Sequence, residues 1–317
     1  MALSIRVLYL EFTNPKSELS QLSLSELTER IAHLGPLNWA LAAFFTFLAY
    51  FALAGYDRIA LSYLNKKISW LFITLCSFTT YALSHSIGAS VFSGAAIRFR
   101  AYSRKGLSAS EVAVLVGFCS FTFALGAIVL AAFILVLRPE LFFPLRHYFT
   151  DLFSMDVSLN GIRNFSYALG IFFFLLIFLY IFGSWKQLKP LKIGKKIQIS
   201  YPRLKIVWQQ LFVAPLEIIG AAGIIYAALP NDVSVDFLLV LGAFITSFSV
   251  GLLSNAPGSG LGVLEVIFIT LMPEIDARDL FVALVVFRIF YLIIPLILSL
   301  IFVALFEIGQ YKIRPRS

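Results

Sequence analysis

The sequence predicts an all-α polytopic membrane protein, and three observations carry that prediction. Apolar residues make up 60% of the 317 and charged residues only 13%, for a mean hydropathy of +0.91. A soluble domain holds about 25% charged residues. The apolar residues fall in runs approaching the roughly 20 that cross a bilayer core. Lys and Arg outnumber Asp and Glu by 25 to 17, and the excess sits in short loops beside the runs. Such loops stay cytoplasmic and are drawn to anionic lipid. Basic residues placed beside spans, rather than on a folded basic domain, exclude a nucleic-acid partner from the reading.

Residues 1–35 read as an N-terminal amphipathic, interfacial segment. "MALSIRVLYLEF" meets Glu11 early and lacks a small-residue cleavage site, so it is not a cleavable signal. Ser23-x-x-Glu26 is a capping-box pattern, and Leu24, Leu27, Ile31 and Leu34 then share one helical face. A short helix on the membrane surface fits both. Residues 36–306 form the transmembrane domain, with about seven spans at 37–54, 68–83, 112–137, 167–185, 206–229, 237–253 and 280–306. Between the last two, 261–272 offers 12 residues, too few to cross and suited to a re-entrant or broken helix. Residues 307–317, with Lys312, Arg314 and Arg316, are a basic cytoplasmic tail.

Loop charge sets the orientation. Residues 186–205 hold seven Lys/Arg and no acid, and 98–105 hold Arg98, Arg100, Arg104 and Lys105 without an acid. Asp232 and Asp236 stand without a base in 231–236, and 138–163 are balanced with three of each sign. The 98–105 and 186–205 loops and the tail therefore face the cytoplasm. Arg58, Lys66 and Lys67 disagree, because they fall on the outer side by this count. Either that loop is tolerated or the first hairpin is not a simple pair of crossings.

Motifs of soluble enzymes are missing from the sequence. It has no Walker loop and no HExxH, and its three histidines are His33, His85 and His147. Cys76 and Cys119 make neither a disulfide framework nor a zinc pattern. "GSGLGV" departs from a dinucleotide fingerprint, with Val263 where the third glycine belongs and no βαβ unit around it. Ser259 between two glycines, with His85 as base, leaves an intramembrane serine hydrolase as one alternative.

Ionisable residues inside spans are costly and point to function. Glu217 lies in "FVAPLEIIGAAG", Glu265 follows the glycine break in "SNAPGSGLGVLE", and Arg288 lies in "LVVFRIFYLIIP". A structural Glu–Arg strut would use one acid and the base, and leave the second acid to bind a proton, a cation or an amine. The break itself has a physical reading. Pro257 ends the preceding helix, and Gly258, Gly260 and Gly262 permit left-handed or closely approached backbone. The new helix, starting near Leu261, offers free N–H groups to an anion such as phosphate. Broken helices of this kind commonly line transporter sites.

"SFTTYALSHSIGAS" (77–90) aligns without gaps to "SFSVGLLSNAPGSG" (247–260), with Ser77, Phe78, Leu83, Ser84 and Gly88 each meeting its own kind. Chance is one explanation in a chain this rich in these residues, and an internal repeat is the other. A repeat predicts adjacent non-helical breaks at 84–94 and 254–264. By loop charge both copies enter from the outer side, which makes it a parallel repeat.

Four stretches together carry a family resemblance: "YDRIALSYL", "SGAAIRFRAYSRKGLSASEVA", "APGSGLGVLE" and "FRIFYLIIPL". Over about residues 36–306 the chain resembles the membrane domain of the lysyl-phosphatidylglycerol synthetase/flippase (multiple peptide resistance factor) family and its stand-alone relatives. It departs from the family in carrying Ser259 inside Pro-Gly-Gly-Leu-Gly. No aminoacyl-transferase domain follows residue 317, so the chain is expected not to be an enzyme and to need no cofactor. The resemblance implies a multi-pass inner-membrane protein that moves phospholipid, including aminoacylated or amine-bearing phospholipid, between leaflets. Its candidate lipid-binding residues are Arg98, Arg100 and Tyr102 of the Arg-x-Arg-x-Tyr pattern, with Glu217, Pro257, Gly258, Gly260, Gly262, Glu265 and Arg288 along the path. For the two arginines, plain positive-inside anchoring is the competing reading. Phospholipid and the bilayer are the expected partners, with a second copy of the chain or a separate lipid-synthesising enzyme left open. A structural or regulatory partner without transport is the remaining rival.

Overall fold

The computed structural model describes residues 23–87, 90–146, 158–189, 191–193, 197–230, 234–253 and 262–313. Helix α1 (Leu24–Ala32) starts at its capping signal, with Ser23 Oγ accepting from the Glu26 N–H at 3.1 Å. Glu26 does not complete the reciprocal bond, because its carboxylate accepts instead from Arg30 one turn on, at 3.0 Å. Five long apolar segments can cross a bilayer. They are α2 (Pro36–Tyr63), α5 (Ala109–Leu137), α6 (Leu159–Trp185), α7 (Leu204–Ala227) and Ala277–Leu305. The fifth is built from α10 (Ala277–Arg288), a π-helical turn (Ile289–Ile293) and α11 (Ile294–Ile313). A small antiparallel ribbon, β1 (Leu191–Ile193) with β2 (Ile197–Ile199), joins α6 to α7, Leu191 facing Ile199.

Two predicted spans, 68–83 and 237–253, are not crossings. Helices α3 (Trp70–Ile87) and α4 (Ser90–Tyr102) form a hairpin that enters and leaves on one face. The Phe72 and Tyr102 rings lie 5.8 Å apart at its mouth, and Lys105 Nζ sits 4.9 Å from the Phe72 ring. Deeper in, α4 packs closely on α3: a Cβ at Gly94 would stand 3.2 Å from Ser84 Oγ. Helices α8 (Phe237–Leu253) and α9 (Val263–Leu271) pack together as a second hairpin beside the 3-10 turn Pro139–Leu145. At about 1.5 Å per residue α8 reaches about 26 Å and α9 about 14 Å, both short of a core of about 30 Å.

This arrangement puts the charges in order. Arg58, Lys66, Lys67, Arg203 and Lys205 line a single groove, so the discordant loop joins the other basic loops. The opposite face holds arginines matched to acids: Arg30 with Asp279 at 2.5 Å, Arg278 with Asp276 at 2.8 Å, and Arg138 with Asp236. The Leu238 backbone N–H and then Arg138 hold the Asp236 carboxyl below the usual carboxylate range. Arg278 does the same for Asp276. Helix α1 lies on this second face through Arg30.

The two hairpins are therefore related in a different sense from the one expected of a repeat. The first hairpin enters from the basic face and the second from the other, which is an inverted and not a parallel relationship. Residues 84–87 and 90–94 are helical, as are 263–264, which corrects the expectation of non-helical backbone at those positions. Positions 88–89 and 254–261, including Pro257, Gly258, Ser259 and Gly260, lie outside the described residues.

The centre is built on close helix contact. A Cβ at Gly220 of α7 would stand 2.8 Å from the Ala49 nitrogen and the Phe45 carbonyl of α2, so any larger residue forces these helices apart. Small residues at contacts suit a bilayer, where packing rather than the hydrophobic effect drives helix association. Large apolar side chains such as Phe47, Phe165, Ile171 and Phe178 point outward, as lipid-facing residues do.

Single-cysteine variants test the hairpin topology, since Cys76 and Cys119 are buried and give little background. Lys67→Cys, Ser103→Cys and Leu188→Cys should react with an impermeant maleimide from one side of sealed vesicles, and Glu140→Cys and Glu274→Cys from the other. Labelling of Lys67→Cys together with Glu140→Cys would restore the two-crossing reading.

Candidate functional site

Among the described residues three carboxylates are buried within the helical bundle, two of them paired with an arginine and one not. Asp57, on α2, is fully buried and accepts from Arg98 Nε at 3.2 Å and Nη2 at 2.7 Å. The Tyr102 hydroxyl donates to it at 2.9 Å and the Cys119 thiol at 3.4 Å. Arg98 and Tyr102 are four residues apart, so one face of α4 presents both. The Arg98 guanidinium also lies over the Tyr81 ring at 4.7 Å. This is a bidentate, charge-assisted lock between a span and the returning arm of the first hairpin. Arg98 thus points into the protein, whereas Arg100, two residues on, is exposed.

The second hairpin is tied down the same way with the signs exchanged. Glu265 sits in the first turn of α9, 4% exposed, and accepts from Arg288 Nε at 2.6 Å and from Nη2. Its other oxygen accepts from the Gly262 N–H at 2.7 Å, which satisfies a donor orphaned at the helix start. Gly262 has φ +86°, a conformation that a side chain would strain. The expected Glu265–Arg288 pair is therefore formed, and the helix begins at Val263 rather than near Leu261.

Glu217 is the acid left over. It is 4% exposed on α7 and takes a hydrogen bond from the Tyr291 hydroxyl. Its other oxygen, Oε2, has no hydrogen-bond partner among the described residues. Tyr291 lies in the π-helical turn, a distortion frequent at functional sites. The turn has a local cause. Pro295 has no N–H, so the Tyr291 carbonyl loses its ordinary helical donor. The Tyr50 hydroxyl replaces that donor at 2.9 Å.

Aromatic rings join the hairpins through this turn. Phe244 of α8 meets Phe287 at 5.5 Å, Phe287 stacks on Tyr291 at 5.1 Å, and Tyr291 stacks on His85 of α3 at 5.5 Å. His85 reaches Tyr81 at 5.6 Å, whose ring carries Arg98. Hairpins from opposite faces therefore meet on one bulged span, next to a buried carboxylate without a cationic partner among the described residues.

Asp57 and Cys119 are absent from the sequence candidates. Ending the first span at 54 leaves Asp57 in a loop, whereas α2 continues to Tyr63. The signal lay in "FALAGYDRIALSYL", an acid on an apolar run with no turn residue after it.

Residues 1–299 match the family described as lysylphosphatidylglycerol synthase TM region. The Synechocystis protein slr0712 is 30% identical over 264 residues, covering 83% of this chain and 77% of its own. The Escherichia coli inner membrane protein YbhN is 28% identical over 276 residues, 85% of this chain and 80% of its own. A Staphylococcus haemolyticus protein named phosphatidylglycerol lysyltransferase is 23% identical over 298 residues, which are 92% of this chain and 32% of that longer protein.

The Tyr50–Tyr291 bond gives a test of the bulge. Tyr50→Phe strands a buried carbonyl and should cost about 1–3 kcal/mol in thermal or denaturant unfolding. In a Pro295→Ala background, where a helical N–H returns, the same change should cost under about 1 kcal/mol. Equal costs in both backgrounds would show that the proline does not create the need for Tyr50.

Proposed function

Because the chain belongs to the lysylphosphatidylglycerol synthase TM region family, we propose that it moves phospholipid between the leaflets of the bacterial inner membrane and does no covalent chemistry. The observation that carries this reading is the meeting of two opposed re-entrant hairpins on the bulged span, beside Glu217 and the Glu265–Arg288 pair. A multi-pass protein has no need of a buried surplus carboxylate for packing. A path for a polar headgroup needs polar groups within reach of both faces.

Glu265 and Arg288 can exchange partners with a headgroup that carries both phosphate and amine. Phosphate takes the Arg288 fork, to which its geometry is matched, and the amine takes Glu265. No charge is left bare, whereas a purely anionic headgroup would strand Glu265. The Gly262 N–H, now held by Glu265, becomes a further donor for phosphate. Pro257, Gly258 and Gly260, outside the described residues, stay in this reading as candidate headgroup contacts. Arg100, exposed on α4, receives headgroups, while Arg98 and Tyr102 keep α4 in place through Asp57. Aminoacylated phosphatidylglycerol fits this chemistry and agrees with the name of the Staphylococcus relative. A separate synthesising enzyme would supply it.

Native mass spectrometry of co-purified lipid, followed by a headgroup-specific flip assay in liposomes, tests the reading. Glu265→Gln should remove most of the preference for amine-bearing over anionic lipid, and Glu217→Gln should slow movement of both. Lower stability of Glu265→Gln with unchanged selectivity would make the pair a strut and end the headgroup argument.

A further inference from the structure

On the basic face, the end of α2, the start of α3 and the start of α7 enclose a groove of about 770 Å³. That volume lies within the range of ordinary small-ligand sites, roughly 300–1,000 Å³. Its wall carries Arg58, Lys66, Lys67, Arg203 and Lys205, and no acid lines it among the described residues. Two of these cations are engaged: Lys66 bonds Glu111 at 2.8 Å, and Arg58 lies 4.9 Å from the Trp70 ring. Lys67, Arg203 and Lys205 have no ion pair among the described residues. Like charges around one concavity repel, and the low-dielectric helices beneath focus their field. Helix α7 adds its positive end here, since Arg203 at the cap position supplies no side-chain acceptor. The floor is apolar, with Ile59, Ile73 and Ile206. A cationic wall over an apolar floor suits an amphiphile with a multiply charged head.

We infer that this groove binds a phosphate-bearing anion with two or more negative charges. The wall selects the phosphates and the floor accepts an acyl chain. This goes beyond the transport reading, because binding here does not depend on whether the chain moves lipid. The groove also lies outside the hairpin contacts that carry that reading.

The whole chain in detergent, studied by native mass spectrometry, tests this with four probes. They are a two-phosphate glycerophospholipid, phosphatidylglycerol, phosphatidylethanolamine and inorganic pyrophosphate. The two-phosphate lipid should bind at least about tenfold more tightly than phosphatidylglycerol. A Lys67→Gln/Arg203→Gln/Lys205→Gln variant should lose at least about tenfold for it, given about 1 kcal/mol per surface cation. Arg104→Gln/Lys105→Gln, on the same face outside the groove, should change it less than about twofold. Pyrophosphate that competes shows that phosphate alone is recognised, from lipid or from solution. Failure to compete with lipid binding intact shows that the lipid form is required. Equal losses in the two variants, or none in the triple variant, would reduce the groove to general surface charge and overturn the inference.

Discussion

A carboxylate–guanidinium pair, buried at Asp57–Arg98 and partly buried at Glu265–Arg288, holds each re-entrant hairpin to a spanning helix, and the rest of the structure depends on these two contacts. A helix that turns back inside a bilayer gains no anchor in the far headgroups, and its broken end carries backbone groups that lipid cannot satisfy. The Asp57–Arg98 pair ties the returning arm α4 to α2, and the Glu265–Arg288 pair ties the returning arm α9 to α10. The hairpin contributes the base in the first pair and the acid in the second. An unpaired charge at the centre of a span costs about 2.5–3.5 kcal/mol on insertion scales, so neither partner of a pair is stable without the other. Breaking a buried pair on one side costs about 3–5 kcal/mol.

The two pairs also define what is left over. With Arg98 and Arg288 committed, Glu217 has one tyrosine hydroxyl as its hydrogen-bond partner among the described residues, at the place where both hairpins touch the bulged span. The bulge and the Tyr50 contact follow from Pro295 denying the Tyr291 carbonyl its helical donor, and the aromatic file runs through the same turn. Structure and proposed function connect at this point. Under the proposed function, the Glu265–Arg288 pair is a lock that a headgroup bearing phosphate and amine would open.

The sequence shows the class, the charged candidates and most of the sidedness, because composition and charge do not depend on tertiary contacts. It does not show the turn-backs at 68–83 and 237–253. Hydropathy records apolar length, and an apolar helix that reverses inside the bilayer looks like one that crosses. Arg58, Lys66 and Lys67 are the visible discord, because counting 68–83 as a crossing places them on the wrong face. The same count makes a repeat of 77–90 and 247–260 parallel. Asp57 is not legible because a first span ending at 54 stops three residues short of it, whereas α2 runs to Tyr63. Glu265 and Arg288 could be named from their apolar surroundings, but 23 residues of sequence between them said nothing about their contact at 2.6 Å.

Hydrogen–deuterium exchange in lipid nanodiscs, comparing the native chain with Asp57→Asn, tests most directly whether a single buried pair holds a hairpin in place. Exchange reports local opening segment by segment. The account predicts faster exchange confined to 70–102 and the facing part of α2, with α8 and α9 unchanged. A uniform increase across the helices, or no increase in 70–102, would contradict it.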